Sequence, residues 1–219
     1  MKIVSHFQSS CMPDIKLGFV LTAPDDLDVS KENLPLIVFL HGAGERGTDP
    51  ELVCIHGIPK LFSADCLHKS QRVVTLSPQC PDGLVWNNVV LAVKELIDSV
   101  MADYKIDHNK VSITGLSMGG FGTWEMILTY PHFFSCAAPV CGGGMSWRCD
   151  NIAHLPIKAF HGSADDVVPP VCSEMMVDAV NSCGGNATLT LFEGVKHNSW
   201  VKAYEETELV TWLVEQSLN

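Results

Sequence analysis

Val111-Ser112-Ile113-Thr114-Gly115-Leu116-Ser117-Met118-Gly119-Gly120-Phe121-Gly122 decides how the rest of this 219-residue sequence is read. A β-branched run leads into Gly-Leu-Ser-Met-Gly, and a helix-compatible stretch follows until Pro131. Strand, turn and helix therefore meet at Ser117. A bare Gly-x-Ser-x-Gly recurs by chance in roughly one chain of this length in ten at average glycine usage, so the setting carries the inference. A serine at such a junction sits on a sharp, strained turn, and side chains in place of Gly115 and Gly119 would collide with it or with the adjacent strand. The turn also puts Ser117 at a helix N-terminus, where free amides and the dipole favour developing negative charge. Ser117 is the candidate nucleophile.

Outward from this junction, strand-like and helix-like segments alternate, as in a parallel sheet with crossover helices. Residues 2–8 and 15–22 alternate as an opening antiparallel pair. Leu36–Leu40 and Arg72–Ser77 are strands, the first a continuous apolar run suited to burial on both faces. Apolar positions at helical spacing span 85–102, followed by a strand at Lys110–Thr114 and a helix from Met118 to about Tyr130. Strands at Ser135–Val140, Ile157–His161 and Thr188–Phe192 follow, with helices near 170–182 and 202–217. The expected fold is a single α/β domain over 1–219, an eight-stranded, mostly parallel sheet flanked by helices. Connections are short, so no large lid is expected; 44–70 and 142–155 are the sizeable candidates.

A serine hydroxyl needs a base to take its proton, and the base needs an orienting acid. When the nucleophile follows a central strand in this manner, the acid comes from a later strand and the histidine from the loop after the last one. Asp165 and Asp166 both follow the 157–161 strand, and spacing alone does not separate them. His197 lies in the loop after 188–192 and is the candidate base. His161 reads as a strand-end packing histidine. The oxyanion hole is expected to use the amide of Met118 and one from His41-Gly42-Ala43-Gly44-Glu45-Arg46-Gly47, with Ala43 preferred. His41 reads as a brace for that loop. Glu45 and Arg46 either bind substrate or pair with each other.

Composition narrows the classes. With 47% hydrophobic and 18% charged residues the chain reads as globular rather than disordered. A formal charge of −11 sets it against phosphate backbones and anionic lipids, so neither nucleic acid nor membrane is an expected partner. No signal-peptide pattern is seen at 1–8, and the nine scattered cysteines contain no Cys-x-x-Cys, so reduced thiols and a cytoplasmic location are expected. Nothing in the surface pattern sets the oligomeric state.

Taken together, the motifs resemble the α/β-hydrolase superfamily, and within it the small phospholipase/carboxylesterase and predicted-peptidase (dienelactone-hydrolase-like) group. The resemblance runs from about residue 35 onward. It is carried by His41–Gly47, Ser77-Pro78-Gln79-Cys80-Pro81 with Trp86, Gly115–Gly120, His161-Gly162 with Asp165 and Val168-Pro169, and His197-Asn198-Ser199-Trp200. It implies an acyl-enzyme mechanism on esters without metal or organic cofactor. It favours Asp165 over Asp166 and suggests that Gln79 and Trp86 lie near the substrate cleft, against a structural glutamine and a buried tryptophan. Dienelactone hydrolases proper carry a cysteine where this chain has Ser117, which argues against lactone specificity. The expected substrate is a small or medium acyl ester. A peptidase, a thioesterase or a feruloyl/acetyl-carbohydrate esterase with the same triad is the alternative, and a catalytically silent binding protein is the third.

Overall fold

A computed structural model describes residues 1–28, 31–62 and 71–218. Its eight strands are β1 (Lys2–Gln8), β2 (Lys16–Thr22), β3 (Leu34–Leu40), β4 (Val74–Gln79), β5 (Ile106–Leu116), β6 (Cys136–Val140), β7 (Lys158–Gly162) and β8 (Thr188–Phe192). They form one sheet in the order β1-β2-β4-β3-β5-β6-β7-β8. β1 and β2 pair antiparallel, β2 pairs antiparallel with β4, and every other neighbouring pair is parallel. The expected opening hairpin and parallel sheet are both present.

Among the described residues six α-helices cover the sheet: α1 (Gly57–Leu61), α2 (Val90–Tyr104), α3 (Met118–Thr129), α4 (Val171–Ser182), α5 (Trp200–Glu205) and α6 (Leu209–Glu215). Successive side chains of a strand face opposite ways, and β3 shows the consequence. Leu36, Val38 and Leu40 join one core with Val93, Leu96 and Ile97 of α2, Trp124 and Ile127 of α3, and Met176 of α4. Ile37 and Phe39 join the other with Ile58 of α1, Tyr204 of α5, and Leu209 and Leu213 of α6. A strand buried on both faces has to be apolar throughout, which is why 36–40 shows no alternation. Each such side chain contributes roughly 1.5–3 kcal/mol by burial.

Several boundaries differ from expectation for local reasons. β5 starts four residues early, because Ile106 pairs with Leu34 beyond an irregularity in the ladder. The helix expected over 85–102 opens as a separate turn, Trp86–Asn88, with the Asn88 side chain accepting from the Val85 amide at 3.0 Å. α2 then runs on to Tyr104 and stops at Lys105, which is left-handed at φ 47°. The closing helix is two helices. Thr207 Oγ1 donates to the Ala203 carbonyl at 2.6 Å and accepts from the Leu209 amide at 3.2 Å, ending one helix and starting the next.

The lid candidates fold down onto the core where they are described. Pro50–Ile55 and α1 bury Pro50, Val53 and Ile58, and Ser146–Ile152 buries Cys149 and Ile152. Residues 63–70 of the first candidate lie outside the described residues. Among the described residues no helix is long and apolar enough to cross a membrane.

Candidate active site

β5 delivers its last residue, Leu116, beside Val140 of β6, and the chain then turns at Ser117 with φ 54° and ψ −117°. The Ser117 amide donates to the Val140 carbonyl at 3.0 Å, and its own carbonyl accepts from Phe121 at 3.1 Å as α3 begins. Nothing larger than glycine fits at 115 or 119. A Cβ on Gly119 would lie 1.8 Å from the Leu40 carbonyl oxygen, and one on Gly115 would lie 2.4 Å from the Gly119 oxygen. β3, β5 and α3 meet here backbone to backbone. Met118 is the first residue of α3, so its amide is among those without a partner inside the helix.

The acid and base come from the loops after the two strands beyond β6, β7 and the edge strand β8. The loops after β7 and β8 are bonded together: Ser163 donates to Phe192 and Ala164 to Val195, each at 3.0 Å. That pairing brings His197 over Asp165. His197 Nδ1 lies 2.8 Å from Asp165 Oδ2, and His197 Nε2 lies 2.9 Å from Ser117 Oγ. A carboxylate only accepts, so the ring proton sits on Nδ1 and Nε2 offers its lone pair to the serine hydroxyl. Trp200 packs edge-on against the His197 ring with centroids 5.3 Å apart.

Asp165 is equipped to stay ionised. Its Oδ1 accepts the amides of Val167 and Val168 at 2.9 Å each, and its side chain is fully buried. Burial pulls its carboxyl up, but the His197 N–H and the two amides outweigh this and hold it below the usual carboxylate value. Asp166 points to solvent and pairs with Lys196 at 2.9 Å. Asp165, not Asp166, is therefore bonded to the histidine.

The loop after β3 packs against Leu116, the residue before the serine. Gly42 is extended, and Ala43–Glu45 forms a single helical turn, so the Ala43 amide is a first-turn amide like that of Met118. His41 braces this loop from beneath. It is 1% exposed, its Nδ1 donates to the Gly42 carbonyl at 2.5 Å, and its Nε2 accepts the Cys80 amide at 2.9 Å. Burial pushes its imidazole down to about 4, with the Gly42 carbonyl opposing and Arg46 adding to the shift. The open question over Glu45 and Arg46 has a third answer: Arg46 donates to the carbonyls of Ala43 and Leu84 rather than to Glu45.

Gln79 and Trp86, expected near the substrate, are both buried. Each is 1% exposed. Gln79 Nε2 donates to the carbonyls of Glu45 and Asp49 at 2.9 and 2.8 Å, and Trp86 Nε1 donates to the His41 carbonyl at 3.0 Å. Their N–H groups are spent on the backbone of the 41–49 loop, so the contacts found are bracing contacts.

One cluster of metal-ligating types occurs among the described residues, Cys141 with Asp165 and His197, whose ligand atoms lie within 4.8 Å of one another. Asp165 and His197 are already bonded to each other. Burial pushes the Cys141 thiol up to about 12, so the thiolate that a metal or a nucleophilic role requires is costly to form. His161 was underrated by sequence. It is buried as expected of a strand-end residue, yet its Nε2 also lies 3.2 Å from Asp165 Oδ2. The signal available was its position four residues before an acid across a tight turn.

Comparison with known proteins identifies the family. The phospholipase/carboxylesterase family model matches residues 72–209, spanning the serine, acid and histidine. The fold superposes on a thermostable esterase with a TM-score of 0.91 and 34% identity, covering 99% of this chain and 63% of that one. A poly(3-hydroxyalkanoate) depolymerase C from Paucimonas lemoignei is 30% identical over 117 residues, 51% of this chain and 28% of the depolymerase. A bifunctional acetylxylan esterase/xylanase from Neocallimastix patriciarum is 26% identical over 141 residues, 62% of this chain and 20% of that enzyme. The chain thus spans under a third of the length of these two relatives. With its matched segment running from β4 to α6 around an elbow serine, the chain belongs to the phospholipase/carboxylesterase family of α/β-hydrolases.

Proposed function

We propose that the chain is a serine carboxylesterase that hydrolyses small to medium acyl esters through an acyl-enzyme. Ser117 Oγ attacks the ester carbonyl as its proton passes to His197 Nε2. Asp165 keeps the His197 proton on Nδ1 and stabilises the imidazolium that forms. The amides of Met118 and Ala43 receive the oxyanion. His197 then protonates the departing alcohol, leaving the acyl group on Ser117. A water molecule, deprotonated by His197, attacks that ester and releases the acid. The observation that carries this is the unbroken chain from Ser117 Oγ through His197 to Asp165, with links of 2.9 and 2.8 Å.

Hydrolysis of p-nitrophenyl butyrate by the wild type and by Ser117→Ala tests it. Turnover is expected to drop by four to six orders of magnitude, roughly the loss seen when a triad serine is removed. Turnover that survives the substitution would exclude the mechanism.

Trp147 favours a second substrate class, ester groups carried on a polymer. It is 78% exposed, in the Ser146–Ile152 segment that comes after β6, the strand that pairs parallel with β5. Buried Cys149 and Ile152 anchor the segment, and Arg148 clamps it to Glu125 at 3.0 Å and to the Leu128 carbonyl at 2.9 Å. A large aromatic held rigidly in water suits the face of a sugar ring or a polyester chain. The depolymerase and the acetylxylan esterase, by their names, act on such materials. Under this reading Trp147→Ala lowers activity on acetylated xylan or poly(3-hydroxybutyrate) more than activity on p-nitrophenyl butyrate. Equal losses on both would remove it.

A further inference from the structure

Behind Asp165 stands a second imidazole that the esterase mechanism does not use. His161 is the penultimate residue of β7 and is 0% exposed. Its Nε2 lies 2.9 Å from the Val168 carbonyl and 3.2 Å from Asp165 Oδ2. Both oxygens only accept, so this nitrogen carries a proton. On the other side of the ring, Nδ1 lies 2.7 Å from Ser173 Oγ, and that hydroxyl also reaches the Gly142 carbonyl at 2.9 Å. Ser173 is itself fully buried in α4.

These contacts join pieces of chain that the triad needs in register. Val168 is held twice, by its amide on Asp165 Oδ1 and by its carbonyl on His161. The turn that presents the acid is thereby pinned from inside the protein. Ser173 Oγ, whose single proton goes to Nδ1 or to the Gly142 carbonyl, stands between the same ring and Gly142, whose backbone packs directly against Gly120 of the elbow helix. A polar ring buried only to fill space loses hydration, and an apolar side chain would fill the space at lower cost. Here each ring nitrogen has a partner, and one partner shares a residue with the acid turn.

We propose that His161 is a positioning residue for Asp165. It fixes the carboxylate so that Oδ2 meets His197 Nδ1, and it couples the acid turn to the elbow through Ser173 and Gly142. This rests on the esterase reading, because its effect is exerted through Ser117 reactivity.

The test compares His161→Leu, His161→Gln and Ser173→Ala with wild type. Three quantities are read: kcat and KM on p-nitrophenyl butyrate, the rate of Ser117 labelling by a fluorophosphonate, and the thermal melt. His161→Leu is expected to lower kcat and labelling together by roughly 10- to 100-fold, with KM nearly unchanged, the scale of a small displacement of a reacting group. His161→Gln, whose amide N–H can reach the same oxygens, is expected to recover most of that loss. Ser173→Ala is expected to show a smaller loss in the same direction. A folded His161→Leu with wild-type labelling overturns the proposal, and so does a glutamine variant no better than leucine. If the leucine variant fails to fold, Ser173→Ala decides, and wild-type labelling there overturns it. Ser117→Ala run alongside separates the two levels: activity surviving in that variant overturns the esterase reading instead.

Discussion

His197 Nε2 lies 2.9 Å from Ser117 Oγ although the two residues are 80 positions apart in the chain. Neither residue is placed by its own neighbours. Ser117 is set by the meeting of β3, β5 and α3, and His197 by the pairing of the last two loops, Ser163 with Phe192 and Ala164 with Val195. The distance between them is a property of the sheet order, which puts β6 and β7 between the elbow and β8.

Adjacent acids give the sharpest test of this arrangement. Asp165 is buried and bonded to His197, whereas Asp166 is exposed and holds Lys196 at the surface. Asp165→Asn is expected to lower kcat by about four orders of magnitude through loss of the correct histidine tautomer. Asp166→Asn removes only a surface ion pair and is expected to stay within about twofold of wild type. Steady-state kinetics on one aryl ester measures both, and reversed magnitudes would reassign the acid.

The elbow stores strain at its functional residue. Ser117 holds φ 54° and ψ −117°, a region that residues with a Cβ rarely adopt. Ser117→Gly is therefore expected to be more stable than Ser117→Ala by about 1 kcal/mol, a difference of roughly 2–4 °C in Tm for a domain of this size. Both variants are inactive, so the comparison isolates backbone strain from chemistry. Gly119→Ala goes the opposite way, because its methyl would meet the Leu40 carbonyl at 1.8 Å, and loss of folded protein is expected. Thermal melts of the purified variants read out all three.

Much of this was legible in the sequence because its causes are local or periodic. The glycines at 115 and 119, the apolar run at 36–40 and the order serine, acid, histidine each leave a mark on neighbouring residues. What escaped depends on contacts between distant segments. Gln79 and Trp86 sit beside motif residues in sequence, yet their N–H groups turn inward to the 41–49 backbone. The choice between Asp165 and Asp166 needed the direction of a side chain on a turn. His161 looked like packing because a strand-end histidine gives no sequence sign of its partners at 168 and 173. The split of the closing helix turned on one threonine hydroxyl.

Burial of His41 and the hydrogen bonds held by Asp165 make stability depend on pH in two separate windows. The His41 ring titrates near 6.5 when unfolded and is pushed down to about 4 by burial in the fold. Between those values the unfolded chain binds a proton that the folded chain does not, so stability falls as pH drops from 6.5 to 4, by about 3 kcal/mol in all. The Asp165 carboxyl is held below its usual value of 3.8, so its contribution is present above that value and is lost as pH falls through the lower folded one. Melts from pH 7 to 3 are expected to show the first decline, with a shallower slope between 6.5 and 4 in His41→Gln. An unchanged slope in that variant would place the decline elsewhere.

An amide can be removed without removing a side chain if proline fits, and Ala43 offers that opportunity. It opens the Ala43–Glu45 turn, a first-turn position where proline's fixed φ and missing N–H are tolerated. Gly42 before it is extended at φ −76° and ψ −176°, the broad region a residue preceding proline prefers. The Ala43 carbonyl that accepts from Arg46 is retained in the variant. Ala43→Pro should therefore keep the fold and delete one oxyanion donor. The expected loss is about 10²–10³-fold in kcat, or about 2.7–4 kcal/mol of transition-state stabilisation, with a melt close to wild type. Fluorophosphonate labelling of Ser117, which also passes through an oxyanion at the same amides, is expected to slow in parallel. A variant that melts normally and turns over normally would move the second donor from Ala43 to another amide of the 41–47 loop.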